Sequence, residues 1–546
     1  MCELYIKYYD HLRDNLFEVP LESLITLFIC KYLTDVKIKK ILIKDSNSRT
    51  FKHCVEINDY EFSETSVLCE MPCIYTKNTI IAGLCAVNRE IIKNSQSEID
   101  LLGFKSACLK APNETSIWTK FCEIDMISTT NYLICDQNLN NIIPEDIIRL
   151  ENHMCQPVRI HNMYKIAQNE NKTITFQTPK NELNISHKFV EGPFMTIADL
   201  ILWPQLYLIF NKFNFSTEIP LTYKWYENLS ENTQIQKAIS IFKVTKNICT
   251  KHFEKPFVKS ESLYKADPKR YKPQNRIYTK QNDIDKALNI ATKLSIESPG
   301  KPFGHEIEFD WNTIPIEANP NGGALPVSRA DRKCEQLENL AKSVIKLAKA
   351  QDTIVDFCSG SGHLGILLAV KLPNCLIILL ENKEESLSRA KDRVEKLQLE
   401  NVKFLQCNLD YFSGDFNIGV SLHACGVATD LVIQHCLRRN AAFVCCPCCY
   451  GGVHDCHHLT YPRSRIFRES GLTLKDYLVL GHSADQTHGD EHVKSKQGNL
   501  CMNIIDTDRM FQAKEFKYAV CLGKLEPNTC TPKNNLVVGW PDDQNC

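Results

Sequence analysis

The chain has 546 residues, of which 43% are hydrophobic and 24% are charged, and its formal net charge is −1. This is an ordinary globular composition, and the length predicts about two to four domains that each bury a core. The near-zero net charge excludes a protein that binds polyanions over its whole surface, although it leaves local basic patches open.

The N-terminal residues MCELYIKYYDHLRDNLFEV lack the basic segment and apolar core of a secretory signal. The most apolar stretches, LITLFICKYL and IADLILWPQLYLIF, are too short for a transmembrane helix, so no membrane contact is expected. The 26 cysteines therefore indicate free thiols in a reducing compartment rather than a disulfide framework. Together these features predict a cytoplasmic protein.

Residues 1–95 alternate short apolar runs with polar turns, and MPCIYTKNTIIAGLCAVNREII (71–92) predicts a strand, a turn and a helix. Residues 115–255 are richer in helical periodicity and are predicted to be mainly helical. Within them, FMTIADLILWPQLYLIF (194–210) predicts a buried helix that Thr196 caps, with Asp199 reaching back to the cap amide.

This capping box, behind a small segment with a Met-Pro dipeptide, resembles the glutathione transferase fold. The resemblance implies a degenerate thioredoxin-like segment over 1–95, with Pro72 at the family's cis proline, and a helical domain over 96–255. Family members hold the γ-glutamyl group with an acidic residue after the proline strand, where this chain has NTIIAGL (78–84). No glutathione is therefore expected, and this half is interpreted as a non-catalytic surface for protein partners.

Residues 256–325 are rich in proline, glycine, asparagine and charged residues, which predicts a linker and an entry segment. Its stretch 259–280 carries seven lysines and arginines against two acids, interleaved with Tyr264, Tyr271 and Tyr278. Basic residues with spaced aromatics can hold single-stranded RNA through phosphate contacts and stacking. A solvated tether is the alternative interpretation of the same stretch.

The segment 352–412 alternates apolar runs with helical patterns. Strands are predicted at 354–357, 376–380 and 402–407, and helices at 363–371 and 383–397. This alternation predicts a doubly wound, mostly parallel, Rossmann-like sheet. Ligands of such sheets lie outside the carboxyl ends of the strands, so those ends are where functional residues are sought.

A glycine-rich turn, DFCSGSGHLG, follows the first of these strands, and Gly360 and Gly362 allow its backbone to approach a ligand. Glu381 follows the second strand, 19 residues beyond Gly362, where a carboxylate can accept both ribose hydroxyls. The turn also satisfies the dinucleotide pattern Gly-x-Gly-x-x-Gly, but Asp356 before it would repel a pyrophosphate and suits an ammonium group. The pattern Asp-x-x-x-Gly-x-Gly resembles motif I of class I S-adenosylmethionine-dependent methyltransferases, with Cys358 where many members have glycine.

That resemblance implies S-adenosylmethionine as the cofactor. Asp356 would orient the methionine amine through the turn, Glu381 would hold the ribose, and Asn408 or Asp410 would meet the adenine amine. The predicted cofactor-binding residues are Asp356, Cys358, Gly360, Gly362, Glu381, Asn408 and Asp410.

Two further strands end in chemically versatile residues. FNIGVSLHACGVATD (416–430) predicts a strand that runs into His423 and Cys425, and AAFVCCPCCYGG (441–452) predicts one that ends in cysteines. Both ends face the place where a methyl acceptor would lie. The predicted catalytic residues are His423, Cys425, Cys448 and Tyr450, with His423 and Tyr450 for acceptor binding or proton removal.

The cysteines of FVCCPCCYGG and of VHDCHH behind it allow three interpretations. In a zinc site, Cys445 and Cys448 would form one arm, and Cys456 with His458 the other. In a nucleophilic mechanism, Cys425 and Cys448 would match the cysteines of RNA enzymes that methylate pyrimidine C5. In the third interpretation, which is favoured, the cysteines are small apolar residues that line an acceptor pocket, and no metal is expected.

The turns SLHACGVATD and PCCYGG, with RADRKCEQLENLAKSVIKLAK (329–349) ahead of motif I, resemble a family of animal proteins that join a transferase-like N-terminal part to a class I methyltransferase-like domain. The resemblance implies such a domain over 326–546, a cytoplasmic location and methyltransferase activity. The predicted function is methyl transfer from S-adenosylmethionine, with RNA favoured over protein or a small molecule as acceptor. A catalytically weak or inactive adaptor is the alternative, and glutathione conjugation ranks third.

Overall fold

The chain folds as two compact units, residues 1–267 and 268–546. The computed structural model describes residues 2–45, 52–64, 67–135, 140–160, 162–179, 182–244, 248–249, 251, 253–264, 280–322, 327–454, 459–487 and 493–542. No helix within these ranges is both long enough and apolar enough to cross a membrane. Apart from Cys135, whose side chain is not described, the cysteines in these ranges are free thiols.

The first unit contains the strands β1 (Glu3–Tyr8), β2 (Asp10–Arg13), β3 (Leu16–Val19), β4 (Lys39–Lys44), β5 (His53–Glu56), β6 (Tyr60–Phe62), β7 (Cys73–Tyr75) and β8 (Thr79–Ala82). Its helices are α1 (Leu21–Tyr32), α2 (Leu84–Lys93), α3 (Ile117–Lys120), α4 (Met126–Cys135), α5 (Glu145–Met154), α6 (Met163–Glu170), α7 (Ile197–Phe210), α8 (Pro220–Ser230) and α9 (Thr233–Ala238).

One sheet of the first unit contains both parallel and antiparallel strand pairs. Strand β1 pairs in parallel with β4 and antiparallel with β7, and β7 continues antiparallel into β8. The chain passes from β1 through β2, β3 and α1 to β4, and α2 follows β8. The Met71–Pro72 peptide bond is cis, as the resemblance to glutathione transferases implies.

Helix α7 is the buried centre of the helical part. The carboxylate of Asp199 is fully buried and accepts the Thr196 amide at 2.8 Å, which confirms the capping box. Its other oxygen accepts the Val190 amide at 2.9 Å and the Trp225 indole N–H at 2.8 Å. The capping carboxylate therefore joins α7 to α8 and to the preceding loop.

The second unit contains the strands β9 (Thr353–Phe357), β10 (Leu376–Leu380), β11 (Val402–Gln406), β12 (Ile418–Cys425), β13 (Ala442–Cys448), β14 (Tyr518–Lys524) and β15 (Asn535–Pro541). Its helices are α10 (Gln281–Ala291), α11 (Val327–Leu347), α12 (His363–Lys371), α13 (Glu384–Lys396), α14 (Val427–Arg438), α15 (Arg465–Glu469), α16 (Leu474–Ala484) and α17 (Val493–Glu515).

The strand order in the second unit is β14-β15-β13-β12-β9-β10-β11. Strands β9 to β13 pair in parallel, and β15 is antiparallel to both of its neighbours. This confirms the predicted Rossmann-like, mostly parallel sheet. The chain runs outward from β9 to β11 on one side and from β12 to β13 on the other, so the order reverses between β9 and β12. Such a reversal creates a crevice at the carboxyl ends of the two central strands.

Helices cover both faces of this sheet. On β12, Val420 lies in the core formed with α11, α12 and α13. The neighbouring Gly419 faces the opposite side, where a Cβ atom would lie 2.4 Å from the Sγ of Cys436 on α14. Because adjacent strand residues point to opposite faces, the two helical layers lie on opposite sides of the sheet. The continuous apolar runs of the strands follow from this double burial.

Candidate cofactor and acceptor site

Asp356 lies on β9, next to the glycine-rich turn, and is only 2% exposed. Its Oδ2 atom accepts the Gly365 amide of α12 at 2.9 Å. A Cβ at Gly365 would lie 2.0 Å from Leu379 Cδ2 and 3.1 Å from Asp356 Oδ2, so glycine is required for this approach. Burial raises the pKa of Asp356 to about 7, although the Gly365 amide and the charge of Lys333 oppose the shift. A buried carboxyl of this kind is stabilised in its charged form by a cation.

Three residues of the turn adopt left-handed backbone conformations: Cys358 (φ +55°), Gly360 (φ +58°) and Gly362 (φ +74°). A Cβ at Gly362 would lie 2.9 Å from both Leu379 Cδ1 and Ala390 Cβ, whereas no heavy atom lies within 4 Å of the Cβ position at Gly360. Gly362 is therefore needed for packing against β10 and α13, and Gly360 faces open space. The turn is therefore closely packed at Gly362 and open at Gly360.

Glu381 directly follows β10 and is 8% exposed. Its Oε2 atom accepts the Gly360 amide at 2.8 Å, and its Oε1 atom accepts the Lys383 amide at 2.9 Å. The carboxylate therefore links the end of β10 to the glycine-rich turn. Each oxygen keeps a further lone pair for a ligand hydroxyl.

Asn408 and Asp410 lie in the turn after β11. Asn408 is 5% exposed, and its Oδ1 atom accepts the side-chain amide of Asn382 at 3.3 Å. Asp410 is exposed on the short 3₁₀ turn Leu409–Tyr411. Phe412, after this turn, is buried and packs edge-to-face against Phe357. The predicted cofactor-binding residues thus occupy the carboxyl ends of three adjacent strands.

His423 lies near the end of β12 with a left-handed backbone (φ +67°). Its Nε2 atom lies 2.9 Å from Gln336 Oε1, and the Gln336 side-chain amide donates to the Cys530 carbonyl at 2.8 Å. Because the amide oxygen only accepts, this network assigns the proton to Nε2 and leaves Nδ1 as an acceptor. Burial, aided by the charge of Lys333, lowers the pKa of His423 to about 4, so the ring is neutral at neutral pH.

The cysteines of β13 divide into two pairs. Cys445 and Cys446 are fully buried in the sheet. Cys449 has a left-handed backbone (φ +50°), which turns the chain after the strand. The Sγ atom of Cys425 consequently lies 3.4 Å from that of Cys448 and 3.2 Å from that of Cys449. Hydrogen bonds from the thiols of Cys448 and Cys449 lower the pKa of Cys425 to about 3 and raise the pKa of Cys448.

Tyr450 lies in the core rather than in the crevice, unlike its predicted role in acceptor binding. Its ring is fully buried, and its hydroxyl donates to Asp506 Oδ2 at 2.7 Å. The Tyr450 and Gly451 amides donate to the two oxygens of Asp485 at 3.0 and 2.8 Å. Tyr450 therefore anchors the turn that carries Cys449, because a hydroxyl bonded inside the core cannot meet an acceptor outside it.

Several polar residues of this site were not identified from the sequence. Lys333 and Gln336 lie on α11 at helical spacing from the buried Leu337 and Leu340. The sequence contained one signal for these two residues, since each is a polar residue in line with the apolar face of a helix. Lys533 lies 3.6 Å from Asp485 and comes from a distant segment, so no local pattern could have indicated it.

In the first unit, the N-terminus of α2 is already occupied by a carboxylate of the chain itself. Glu123 is 8% exposed, and its Oε2 atom accepts the Cys85 amide at 3.1 Å. Its Oε1 atom accepts the Asn113 side-chain amide at 2.7 Å. The first turn of α2 contains no acidic residue, as the sequence predicted.

Two sequence-based interpretations fall partly outside the described residues. Residues 265–279 of the basic stretch and residues 455–458 of the proposed second zinc arm are not described. Of the three tyrosines in the basic stretch, Tyr264 packs against Trp118 and His153 in the first unit. Its ring is thereby engaged in protein packing.

The second unit combines a doubly wound sheet, a glycine-rich turn and two buried carboxylates, which defines a Rossmann-like domain of the methyltransferase class. In agreement, residues 332–456 match the family model described as a methyltransferase domain. Over nearly its full length, the chain belongs to the family of glutathione S-transferase C-terminal domain-containing proteins.

The relatives cover both units. The homolog from Drosophila melanogaster is 43% identical, with 96% of this chain and 97% of the relative covered. The mouse protein, from Mus musculus, is 32% identical, with 98% of each chain covered. Among solved structures, precorrin-6y C5,15-methyltransferase from Geobacter metallireducens GS-15 aligns with 38% of this chain and 87% of its own, at 16% identity and a TM-score of 0.22.

Proposed function

We propose that the second unit is an S-adenosylmethionine-dependent methyltransferase that acts in the cytoplasm. The observation that carries this proposal is a pair of buried carboxylates: Glu381 accepts the Gly360 amide within the glycine-rich turn, and Asp356 accepts the Gly365 amide in the first turn of α12. The turn fits the cofactor, because Gly360 faces open space and the buried Ser359 hydroxyl makes no hydrogen bond within the described residues. When bound, S-adenosylmethionine supplies a methyl group on a sulfonium, which is an excellent leaving group.

The chain's own residues would bind and orient the reactants. Asp356 would hold the ammonium of the methionine moiety, Glu381 would accept the ribose hydroxyls, and Asn408 or Asp410 would meet the adenine amine. His423, with an unprotonated Nδ1 atom at neutral pH, could accept a proton from a polar acceptor atom. Catalysis would then rest mainly on positioning the acceptor in line with the methyl group.

The experiment is calorimetric titration of S-adenosylmethionine into the purified full-length chain, with S-adenosylhomocysteine as a second ligand. Saturable binding of both ligands supports the methyltransferase. No binding by a chain whose circular dichroism spectrum shows a folded protein would favour the alternative, a methyltransferase-like adaptor without catalysis.

RNA is the acceptor that we propose, on the basis of the basic and aromatic stretch 259–280. Replacing its seven lysines and arginines by glutamine in the full chain should weaken binding of a single-stranded RNA and make the salt dependence shallower. Fluorescence anisotropy at several salt concentrations measures both effects. The matched control replaces an equal number of exposed lysines elsewhere, among them Lys31, Lys110 and Lys237. Equal affinity and salt dependence in the two variants would contradict the proposal.

We further propose that the first unit serves protein contacts and does not bind glutathione. Glu123 already occupies the α2 amide that a γ-glutamyl carboxylate would approach, and its charge would repel that carboxylate. The full chain is therefore expected to pass through immobilised glutathione without retention, while an active glutathione transferase is retained. Retention that free glutathione reverses would contradict the prediction.

His423 should exist as the neutral Nε2–H tautomer at pH 7, because Gln336 accepts that proton and burial lowers the pKa to about 4. Nitrogen-15 NMR of histidine-labelled protein distinguishes the tautomers. Gln336→Glu should raise the pKa of His423, since a carboxylate favours the charged ring. The His423 resonance is identified by its loss in His423→Asn. Titration of that resonance near pH 6.5 in the unmodified protein would be inconsistent with this assignment.

A further inference from the structure

Three cysteine side chains meet at the carboxyl ends of β12 and β13. The Sγ atoms of Cys425, Cys448 and Cys449 all lie within 4.8 Å of one another. Cys425 and Cys449 are exposed, and Cys448 is partly buried. The cofactor roles proposed above use none of these thiols, so their convergence needs a separate explanation.

The backbone fixes this convergence. Cys425 and Cys448 are paired in register across β12 and β13, after a bulge that begins at Leu422. The Gly426 amide donates to the Cys448 carbonyl at 3.2 Å. A Cβ at Gly426 would lie 2.5 Å from the Gly452 backbone, so the loop after β12 lies directly against the turn after β13. The ligands are thus held in place by glycine contacts and strand pairing, before any ion binds.

We propose that Cys425, Cys448 and Cys449 bind a thiophilic divalent cation, with zinc as the expected ion, through their three Sγ atoms. A tetrahedral zinc ion with zinc–sulfur bonds of about 2.3 Å separates its sulfur ligands by about 3.8 Å. The observed Sγ separations of 3.2 and 3.4 Å are close to this value, and small side-chain rotations reach it. The exposed side of the cluster leaves a fourth coordination position for water or a polar atom of the acceptor. Three protein ligands with an open position are typical of reactive rather than purely structural zinc sites.

The charges around the cluster suit such a centre. All three cysteines are thiolates in the bound state, any protons they carried pass to solvent, and three thiolates with one Zn²⁺ carry one net negative charge. Lys533 lies beside the cluster, where its Nζ atom is 3.6 Å from the Asp485 carboxylate.

The proposal differs from the zinc interpretation of the sequence, in which Cys445 is a ligand. Cys445 is fully buried on β13 and is not among the thiols that converge. The competing explanation is a disulfide between two of the three thiols, because two sulfurs this close can be oxidised. A disulfide would use two cysteines and leave one unexplained, whereas a metal uses all three.

The test measures the metal content of the full-length chain, expressed with added zinc and purified under reducing conditions. About one zinc per chain is expected, and the content should fall about tenfold when all three cysteines are replaced by serine. Cys155→Ser, an exposed cysteine of the first unit, is the matched control and should keep its zinc. Loading the metal-free chain with cobalt(II) should give intense tetrahedral bands and a thiolate-to-cobalt charge-transfer band in the unmodified chain but not in the triple variant.

Two outcomes would overturn the proposal. One is a folded chain, by circular dichroism, that binds neither zinc nor cobalt, with all three thiols titratable or with two lost as a disulfide. The other is equal metal content in the triple variant and in the unmodified chain. The readout is the metal itself, so it is independent of the proposed methyltransferase activity. Titration of S-adenosylmethionine into the metal-free chain tests the cofactor site separately.

Discussion

Replacing Asp356 by asparagine or Glu381 by glutamine is expected to weaken S-adenosylmethionine binding by roughly 10- to 100-fold in each case. A hydrogen bond to a charged group contributes about 1.5–3 kcal/mol, and each replacement removes the charge that receives the ligand's donor. Each new carboxamide keeps one oxygen atom. That oxygen can still accept a hydrogen bond from the Gly365 amide in the Asp356 variant and from the Gly360 amide in the Glu381 variant. The turn should therefore persist, and the loss should report the ligand contact. Calorimetry measures it directly.

The affinity of the unmodified chain for S-adenosylmethionine is also expected to depend on pH. Burial raises the pKa of Asp356 to about 7 in the cofactor-free protein, and the ligand's ammonium requires the ionised carboxylate. Below pH 7 the proton must leave before the cation can bind, so affinity should rise by about tenfold between pH 6 and pH 8. Asp356→Asn should abolish this dependence. Proton release on binding, measured in buffers of different ionisation enthalpy, checks the same step.

Asp392→Asn, an exposed aspartate on α13, is the matched control and should leave affinity and pH dependence unchanged. Folding is controlled by the unfolding temperature of Asp356→Asn at pH 8. The folded pKa of Asp356 lies above its ordinary value of 3.8, so ionisation destabilises the fold as pH rises through this range. The variant should therefore be at least as stable as the unmodified chain at pH 8. Wild-type affinity in both carboxylate variants would contradict the proposed cofactor site.

Patterns within a few residues predicted much of the fold. The helix after the glycine-rich turn was predicted at 363–371, which is the observed extent of α12. Strands β9, β10 and β11 were predicted to within one residue, because continuous apolar runs of this length between turns are typical of buried parallel strands. The box at Thr196 and Asp199 was predicted because its hydrogen bonds span only three residues. An element whose bounds depend on neighbouring residues can therefore be predicted from the sequence.

Which cysteines are buried in β13 and which converge at its end depends on contacts that the sequence does not show. Alternation along β13 predicts that Cys445 and Cys446 point to opposite faces of the sheet. The left-handed backbone conformation of Cys449 could not be predicted from the neighbouring residues. Its position beside Cys425 depends on the register of two strands that are joined by a whole helix. Tyr450 was predicted at the crevice for the same reason: its partner Asp506 lies 56 residues away.

The carboxylate at the N-terminus of α2 shows the same limit in the first unit. The sequence shows that residues 78–84, after Pro72, offer no acid for a γ-glutamyl group. It did not indicate that Glu123, 38 residues beyond Cys85, supplies an internal carboxylate at that position. The sequence shows that the local acidic motif is absent. It does not show that Glu123 takes its place, because tertiary packing determines that contact.

Arg509→Met is expected to destabilise the second unit by about 3–5 kcal/mol, because it leaves buried carboxylates without a counter-charge. Arg509 is 1% exposed and donates to both oxygens of Asp430 at 2.8 and 2.9 Å, and to Asp506 at 2.9 Å. Asp430 on α14 and Asp506 on α17 are both fully buried. Urea unfolding followed by circular dichroism and by hydrogen exchange of the second unit measures the loss. Arg465→Met, an exposed arginine on α15, is the matched control and should change the stability by less than about 0.5 kcal/mol.

The same network supports the acceptor side of the site, since Asp506 also accepts the hydroxyl of Tyr450. Loosening Asp506 should therefore loosen the turn that holds Cys449, and amide exchange at residues 449–453 should accelerate in Arg509→Met. Adding Asp430→Asn and Asp506→Asn to Arg509→Met removes the unpaired charges and should recover part of the lost stability. If the single variant keeps its stability within about 1 kcal/mol, or if the added amides lower it further, the charges are not what holds α14, α17 and the Tyr450 turn together.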